Sequence, residues 1–206
     1  RGEDQLHARK WMAWPSSTAI WSSSLLPGIQ DDVALIARTI AKYEPVIMCA
    51  DASYNASVAR YETASSVTVI SDNPVNDLWA RDTACLFRVN AAGTHDAIGL
   101  NFNGWGNKQT YTKDGYVAER IAYKAGVPFS HADFVSEPGA IEQDGDGTLI
   151  ATESSIINAN RNPGKTKAQL EAAMMAAYGA TKVIWVPGVV GKDITDDHID
   201  ATSRFV

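Results

Sequence analysis

The sequence predicts a mixed α/β fold built from a repeated module. Two observations carry that expectation. Three stretches place apolar residues at helical spacing, and each is followed by a short apolar run. Pairs of strand-like segments lie between those helices, so the alternation does not describe one long open sheet.

The elements follow in chain order. Trp11-Met12-Ala13-Trp14-Pro15 is aromatic and stiff, and reads as a strand ending at a proline. Residues 16–28 hold serines, a proline and a glycine and read as a loop. From Asp31 to Tyr43, Val33, Ile36, Ala37 and Ile40 recur at helical spacing, with Asp31 and Asp32 expected at the positive end of the helix dipole. Pro45 to Cys49 and Val67 to Ile70 read as short buried strands. Leu86–Val89 and Ala97–Leu100 read as strands around a turn at Ala92-Gly93-Thr94-His95. Asp114 to Ala125 reads as a helix stopped by Gly126. Ile141 to Ile157 reads as a hairpin turning at Asp144-Gly145-Asp146-Gly147, a run that lacks the remaining spacing of a calcium loop. Lys167 to Tyr178 is a strong helix ending at Gly179, and Val183–Val186 is a strand closed by Pro187-Gly188.

With 206 residues the chain is long enough for one domain with a substantial core, and one unit over residues 1–206 is the expectation. Hydrophobic residues make up 45% and charged residues 20%, ordinary for a globular chain. A net charge of −6 argues against nucleic acid or an anionic membrane as partner and is compatible with a cationic small substrate. No apolar run approaches bilayer-spanning length. The first four residues are polar and carry no signal-peptide pattern, and the chain does not begin with methionine, as a processed or trimmed product would not. Two cysteines do not make a disulfide framework, and Asn55-Ala56-Ser57 is a glycosylation triplet of a kind that arises often by chance. Compartment, cytoplasmic or secreted, and oligomeric state, a homo-oligomer included, stay open.

Chemistry concentrates in two segments, Asn76-Asp77-Leu78-Trp79-Ala80-Arg81-Asp82 and Asp196-Asp197-His198-Ile199-Asp200. A carboxylate pair beside an aromatic suits a flat cation that takes bidentate hydrogen bonds, as a guanidinium does. A histidine beside the pair can move protons. Asp82 sits in a strand-like stretch, where Arg81 and Asp82 read equally well as a surface pair. His198 and Asp200, two apart, would share one face of an extended segment; the bland alternative is an exposed acidic loop with Asp193, Asp196 and Asp197. A weak metal site there lacks a second histidine. Glu137, before a tight turn, orients the histidine or caps local amides. Asn158, Asn160, Arg161 and Asn162 form a polar cluster expected to hold loops. His7, His95 and His131 stand alone, at the surface or core edge, and Cys49 and Cys85 read as structural thiols.

Taken in order, Trp11–Pro15, Asn76–Asp82, Phe102-Asn103-Gly104-Trp105-Gly106, Glu137–Thr148, Asn160-Arg161-Asn162-Pro163 and Asp196–Val206 resemble the agmatine deiminase and bacterial-type peptidylarginine deiminase family, across nearly the whole chain. The resemblance implies a five-bladed α/β propeller of ββαβ-type modules with the site in a central channel. It implies a hydrolase that converts a guanidinium to a ureido group, releases ammonia and needs no cofactor or metal. The residues matching Asp82 and Asp200 would bind the guanidinium nitrogens. His198 would protonate departing ammonia and then activate water, Glu137 would set the electrostatics, and Trp79 and Trp105 would lie at the substrate.

Three departures stand beside it. The family's nucleophilic cysteine lies beyond Val206, so the chain is expected to hold three modules and part of a fourth, apparently incomplete at its C-terminus. Pro138 replaces a usual glycine after Glu137, removing an amide donor. Ala84-Cys85 replaces a usual Gly-Pro, which reads as local packing. Phe102 to Lys108 contains no arginine to hold a peptide carboxylate, which favours free agmatine over peptidyl arginine as the guanidino substrate. The competing readings are a guanidinium-binding fragment without catalysis and, further behind, a metal hydrolase.

Overall fold

A computed structural model describes residues 5–54 and 66–205; the Asn55-Ala56-Ser57 triplet lies outside the described residues. The chain divides into two compact units. One holds residues 6–80 and 112–117, the other residue 5 with residues 81–111 and 118–205.

The first unit is built on three parallel strands in the order β1-β2-β3, with β1 Lys10–Ala13, β2 Val46–Cys49 and β3 Val67–Ile70. A parallel pair needs a long crossover, and helix α1, Leu26–Ile40, supplies it between β1 and β2. The helix starts five residues before Asp31, inside the stretch expected to be loop. Pro27 falls in its first turn, where a missing N–H leaves no bond unmade. Asp31 and Asp32 therefore lie in the second turn rather than at the start. The buried face runs through Leu26, Gln30, Val33, Ala34 and Ala37, while Ile36, expected on that face, is exposed. The face packs with Trp14, Val46, Met48 and Val67 into one apolar cluster. Gln30 is tolerated there because its amide donates to the Pro15 carbonyl at 2.8 Å.

The second unit carries two sheets with the same plan. Strands β4, Leu86–Val89, and β5, His95–Gly99, pair antiparallel. Helix α2, Val117–Ala125, follows, and β6, Phe129–His131, returns parallel to β5. Strands β7, Ile141–Gln143, and β8, Thr148–Thr152, pair antiparallel around the Asp144 turn, whose carboxylate accepts from Asp146 N and Thr148 N at 2.8 Å. Helix α3, Lys167–Tyr178, then leads to β9, Lys182–Val186, parallel to β8. Both runs are ββαβ. The predicted hairpin ends early, because Glu153–Ile156 forms a helical turn. β6 is absent from the sequence reading: three residues, none of them aliphatic, give no strand signal. Leu170, Met174 and Ala177 of α3 pack with Ile98, Ile141, Leu149, Ala151 and Ile156 into the core of this unit. Thr166 caps α3, accepting from Gln169 N while the Gln169 side chain accepts from Thr166 N.

Candidate active site

Asp82 lies in a short helical turn, Ala80–Thr83, not in a strand. It is buried, and two N–H groups hold its carboxylate: Trp105 Nε1 donates to Oδ2 at 2.8 Å and Gly139 N to Oδ1 at 3.2 Å. The indole reaches it through an unusual backbone. Gly104, Trp105, Gly106 and Asn107 all have positive φ, at 70°, 55°, 80° and 63°, so the Gly-Trp-Gly-Asn stretch is a single left-handed helical turn. Left-handed helix costs L-residues about 1–2 kcal/mol each, and two glycines remove half of that penalty here. Asn103 Oδ1 accepts from Gly106 N at 2.7 Å, and its Nδ2 donates to the Asn160 carbonyl at 3.1 Å. A β-carbon on Gly106 would lie 2.3 Å from Asn160 Cγ, so any other residue there would push that side chain aside. Phe102 packs edge-to-face on Trp105, with ring centroids 5.0 Å apart. Trp105, expected at the substrate, is thus buried and placed against Asp82.

His198 and Asp200 come from a 3-10 turn, Ile199–Ala201, and its preceding residue, not from an extended segment. Asp196 and Asp197 before them have φ of 65° and 70°. The hydroxyls of Ser154 and Thr152 donate to their carbonyls at 2.7 and 2.8 Å and hold this bend. His198 is buried; Nε2 is hydrogen-bonded to Glu137 Oε2 at 3.0 Å, and Nδ1 lies 3.7 Å from Asp82 Oδ1. Glu137 is fully buried and extended, with Pro138 opening the next turn at a position whose amide has no helical partner. The proline departure therefore leaves Glu137 free to face the imidazole. Gly139 closes the arrangement. A β-carbon there would lie 2.3 Å from Asp82 Oδ1, 2.7 Å from Asp200 Oδ2 and 3.1 Å from His198 Nδ1. The three side chains converge over Gly139, where the absence of a side chain lets them approach one another.

The charges explain one another. Burial pushes the Asp82 carboxyl up to about 6; the His198 charge draws it down, Glu137 and Asp200 push it further up, and the Trp105 bond opposes them. Burial draws the His198 imidazole down, but the Glu137 hydrogen bond and the charges of Asp82, Glu137 and Asp200 outweigh burial and leave it raised. The cluster is built to hold positive charge. Asp82, His198 and Asp200 each offer a ligand atom, all within 4.8 Å of one another, and would be the residues to meet a metal ion. A ligating imidazole must be unprotonated, and this environment favours the protonated form. A flat organic cation with several N–H donors matches the two carboxylates better.

Arg161 is the residue that sequence reasoning misplaced. Its neighbour Asn162 does hold loops, accepting from Val135 N and donating to the Val135 and Ile156 carbonyls. Arg161 is instead a buried strut. Nε donates to both Glu137 oxygens at 3.0 Å, and Nη1 donates to Asp196 Oδ2 at 2.8 Å. Asp196 in turn accepts from Lys108 Nζ at 2.7 Å and from Gly191 N at 2.9 Å, so it is no exposed loop acid. Burial alone would raise its carboxyl, but Lys108, Arg161, Gly191 and Asn160 hold it far below the ordinary range. A lone arginine in the otherwise uncharged run Asn158–Pro163 was the available signal, since a buried guanidinium requires carboxylate partners.

Trp79 belongs to the first unit and is 45% exposed. Cys49 and Cys85 are free, buried thiols, each pushed up to about 12 chiefly by burial; neither is a ready nucleophile. His7, His95 and His131 are exposed, as expected.

The sequence profile of the Porphyromonas-type peptidyl-arginine deiminase family matches residues 1–206. A Vibrio parahaemolyticus protein provisionally named agmatine deiminase is 36% identical over 195 residues, spanning 92% of this chain and 53% of its own. The agmatine deiminase of Stutzerimonas stutzeri is 32% identical over 211 residues, spanning 97% of this chain and 55% of its own. A solved structure of the Enterococcus faecalis agmatine deiminase matches with a TM-score of 0.91 at 26% identity, over 99% of this chain and 57% of that one. The chain spans about half the length of the relatives it matches.

Proposed function

The chain belongs to the Porphyromonas-type peptidyl-arginine deiminase family, and from that premise we propose that it carries the cation-binding and acid–base groups of a guanidine deiminase. The observation that carries the reading is the convergence of Asp82, Asp200 and His198 over Gly139, with one polar atom of each within 4.8 Å of the others. In this reading Asp82 and Asp200 accept hydrogen bonds from the guanidinium nitrogens, and Trp105 acts through Asp82. Trp79 lies along the substrate. A thiolate attacks the guanidinium carbon; His198 gives its proton to the departing ammonia. It then takes a proton from the water that releases the ureido product and restores the thiolate. Cys49 and Cys85 do not fit the nucleophile's part, so the reading requires a thiolate from outside these 206 residues. The two ββαβ runs are taken as modules of the α/β propeller that the family resemblance implies.

The substrate we favour is a free guanidino amine such as agmatine. Lys108, the basic residue in the Phe102–Lys108 loop, is committed to Asp196 and donates to the Ile194 carbonyl at 3.1 Å. It is not held for a peptide carboxylate. Binding of the cation without turnover is the alternative that the test separates.

Calorimetry with agmatine and ammonia release from the protein isolated from its natural source test both. Binding that Asp82→Asn weakens about 100-fold, together with ammonia release, is the expected result; a charge-assisted pair lost from a buried site is worth that much. Binding without ammonia selects the second reading. No binding removes both. A higher kcat/KM for a C-terminal arginyl peptide than for agmatine would overturn the substrate assignment.

A further inference from the structure

The buried charges of the second unit form a chain of alternating sign: His198, Glu137, Arg161, Asp196, Lys108. Glu137, Arg161 and Asp196 are shut off from solvent, and only Lys108 reaches it. A buried carboxylate left to itself takes up a proton. A protonated Glu137 could donate to His198 Nε2, and the imidazole hydrogen would then move to Nδ1, the nitrogen that faces Asp82 and Gly139. A guanidinium cannot release its proton, so Arg161 blocks that exchange. Its Nε is shared between both Glu137 oxygens, which fixes the carboxylate plane as well as its charge. Arg161 is itself fixed by Asp196, by Asn160 Oδ1 at 3.1 Å and by the Thr195 carbonyl at 3.0 Å.

We propose that Arg161 is the positioning residue of this site: it holds Glu137 as an oriented carboxylate against His198 Nε2, so that the imidazole keeps its hydrogen on Nε2 and turns Nδ1 toward Asp82 and Gly139. Asp196 anchors it, and Lys108 ties the chain to the surface. The other charges that face His198 are Asp82, Asp200 and Asp193; none of them touches Nε2. The consequence for catalysis rests on the deiminase reading, whereas the geometry does not.

The test is nitrogen NMR of the imidazoles across pH, with His198 identified among the four histidines by His198→Gln. In the unaltered protein the neutral ring is expected to carry its hydrogen on Nε2. Removing the positive charge in Arg161→Met makes protonation of the pair easier. Its titration should rise by about one pH unit or more, and the neutral ring should move toward the Nδ1–H form. Arg161→Lys keeps the charge but not the shared hydrogen bond and should restore part of the shift. Should Arg161→Met fail to fold, the Lys variant is compared in the native and Glu137→Gln backgrounds. An effect on His198 that disappears with Glu137→Gln shows that Arg161 acts through Glu137. An equal effect in both backgrounds, or none in the native background, overturns the proposal. Coupling without agmatine binding would leave Arg161 its role and remove the deiminase reading; agmatine binding without coupling would do the reverse.

Discussion

Gly139 is the residue with the least room to change. Gly139→Ala places a methyl where Asp82, Asp200 and His198 meet, closer to the two carboxylate oxygens than a carbon can sit. Agmatine affinity should fall by at least about 100-fold, because the methyl takes the cation's place and spreads the carboxylates that must grip it; calorimetry on the folded variant checks this, and unchanged affinity would move the binding site elsewhere. Asp82 adds a pH dependence. Its folded-state value of about 6 lies above the ordinary carboxylate range. Between that range and about 6 an unfolded chain is ionised here while the folded one still holds its proton, so this group lowers stability as pH rises through the window. Cation binding needs the ionised form and runs the other way: agmatine affinity should drop as pH falls through about 6, and Asp82→Asn should abolish that dependence.

The elements show what periodicity reveals and what it hides. Helix α3 was legible to the residue, since its apolar spacing, its Gly179 stop and the strand after it all agree. Leu170 is the test of that packing. It is fully buried in the core of its unit, and Leu170→Ala should cost about 2–5 kcal/mol in chemical denaturation; a loss below about 1 kcal/mol would mean that the helix does not organise this core. The start of α1 was misread because Pro27 and Gly28 signal a loop in isolation, although a proline is at ease in a first turn. The Gly104–Asn107 turn was beyond periodicity altogether. Nothing local in Gly-Trp-Gly-Asn dictates left-handedness; the choice is made by Asn103, by Asn160 and by the Asp82 carboxylate. Similarly, Asp82 and His198 were expected in extended chain. They meet because two tight turns present them, an arrangement that spacing along a strand cannot encode.

At the scale of the whole molecule, the alternation of helices and strands was readable, and so was the family. The partition was not: Thr112–Val117 goes with a unit whose other residues end at Ala80, and no shift of composition marks it. The candidate site lies in one unit yet is gathered from five stretches of sequence, around residues 82, 105, 137, 161 and 198. That dispersal has a consequence in time. The left-handed turn leans on Asn160, 57 residues away, and His198 meets Glu137 across 61. Contacts so distant form only after long loops have closed, which is slow compared with winding a helix. The expectation is that α3 and the antiparallel hairpins, whose partners are near in sequence, form before the candidate site. A refolding chain passes through a stage in which it has its helices and sheets but nowhere to hold a substrate.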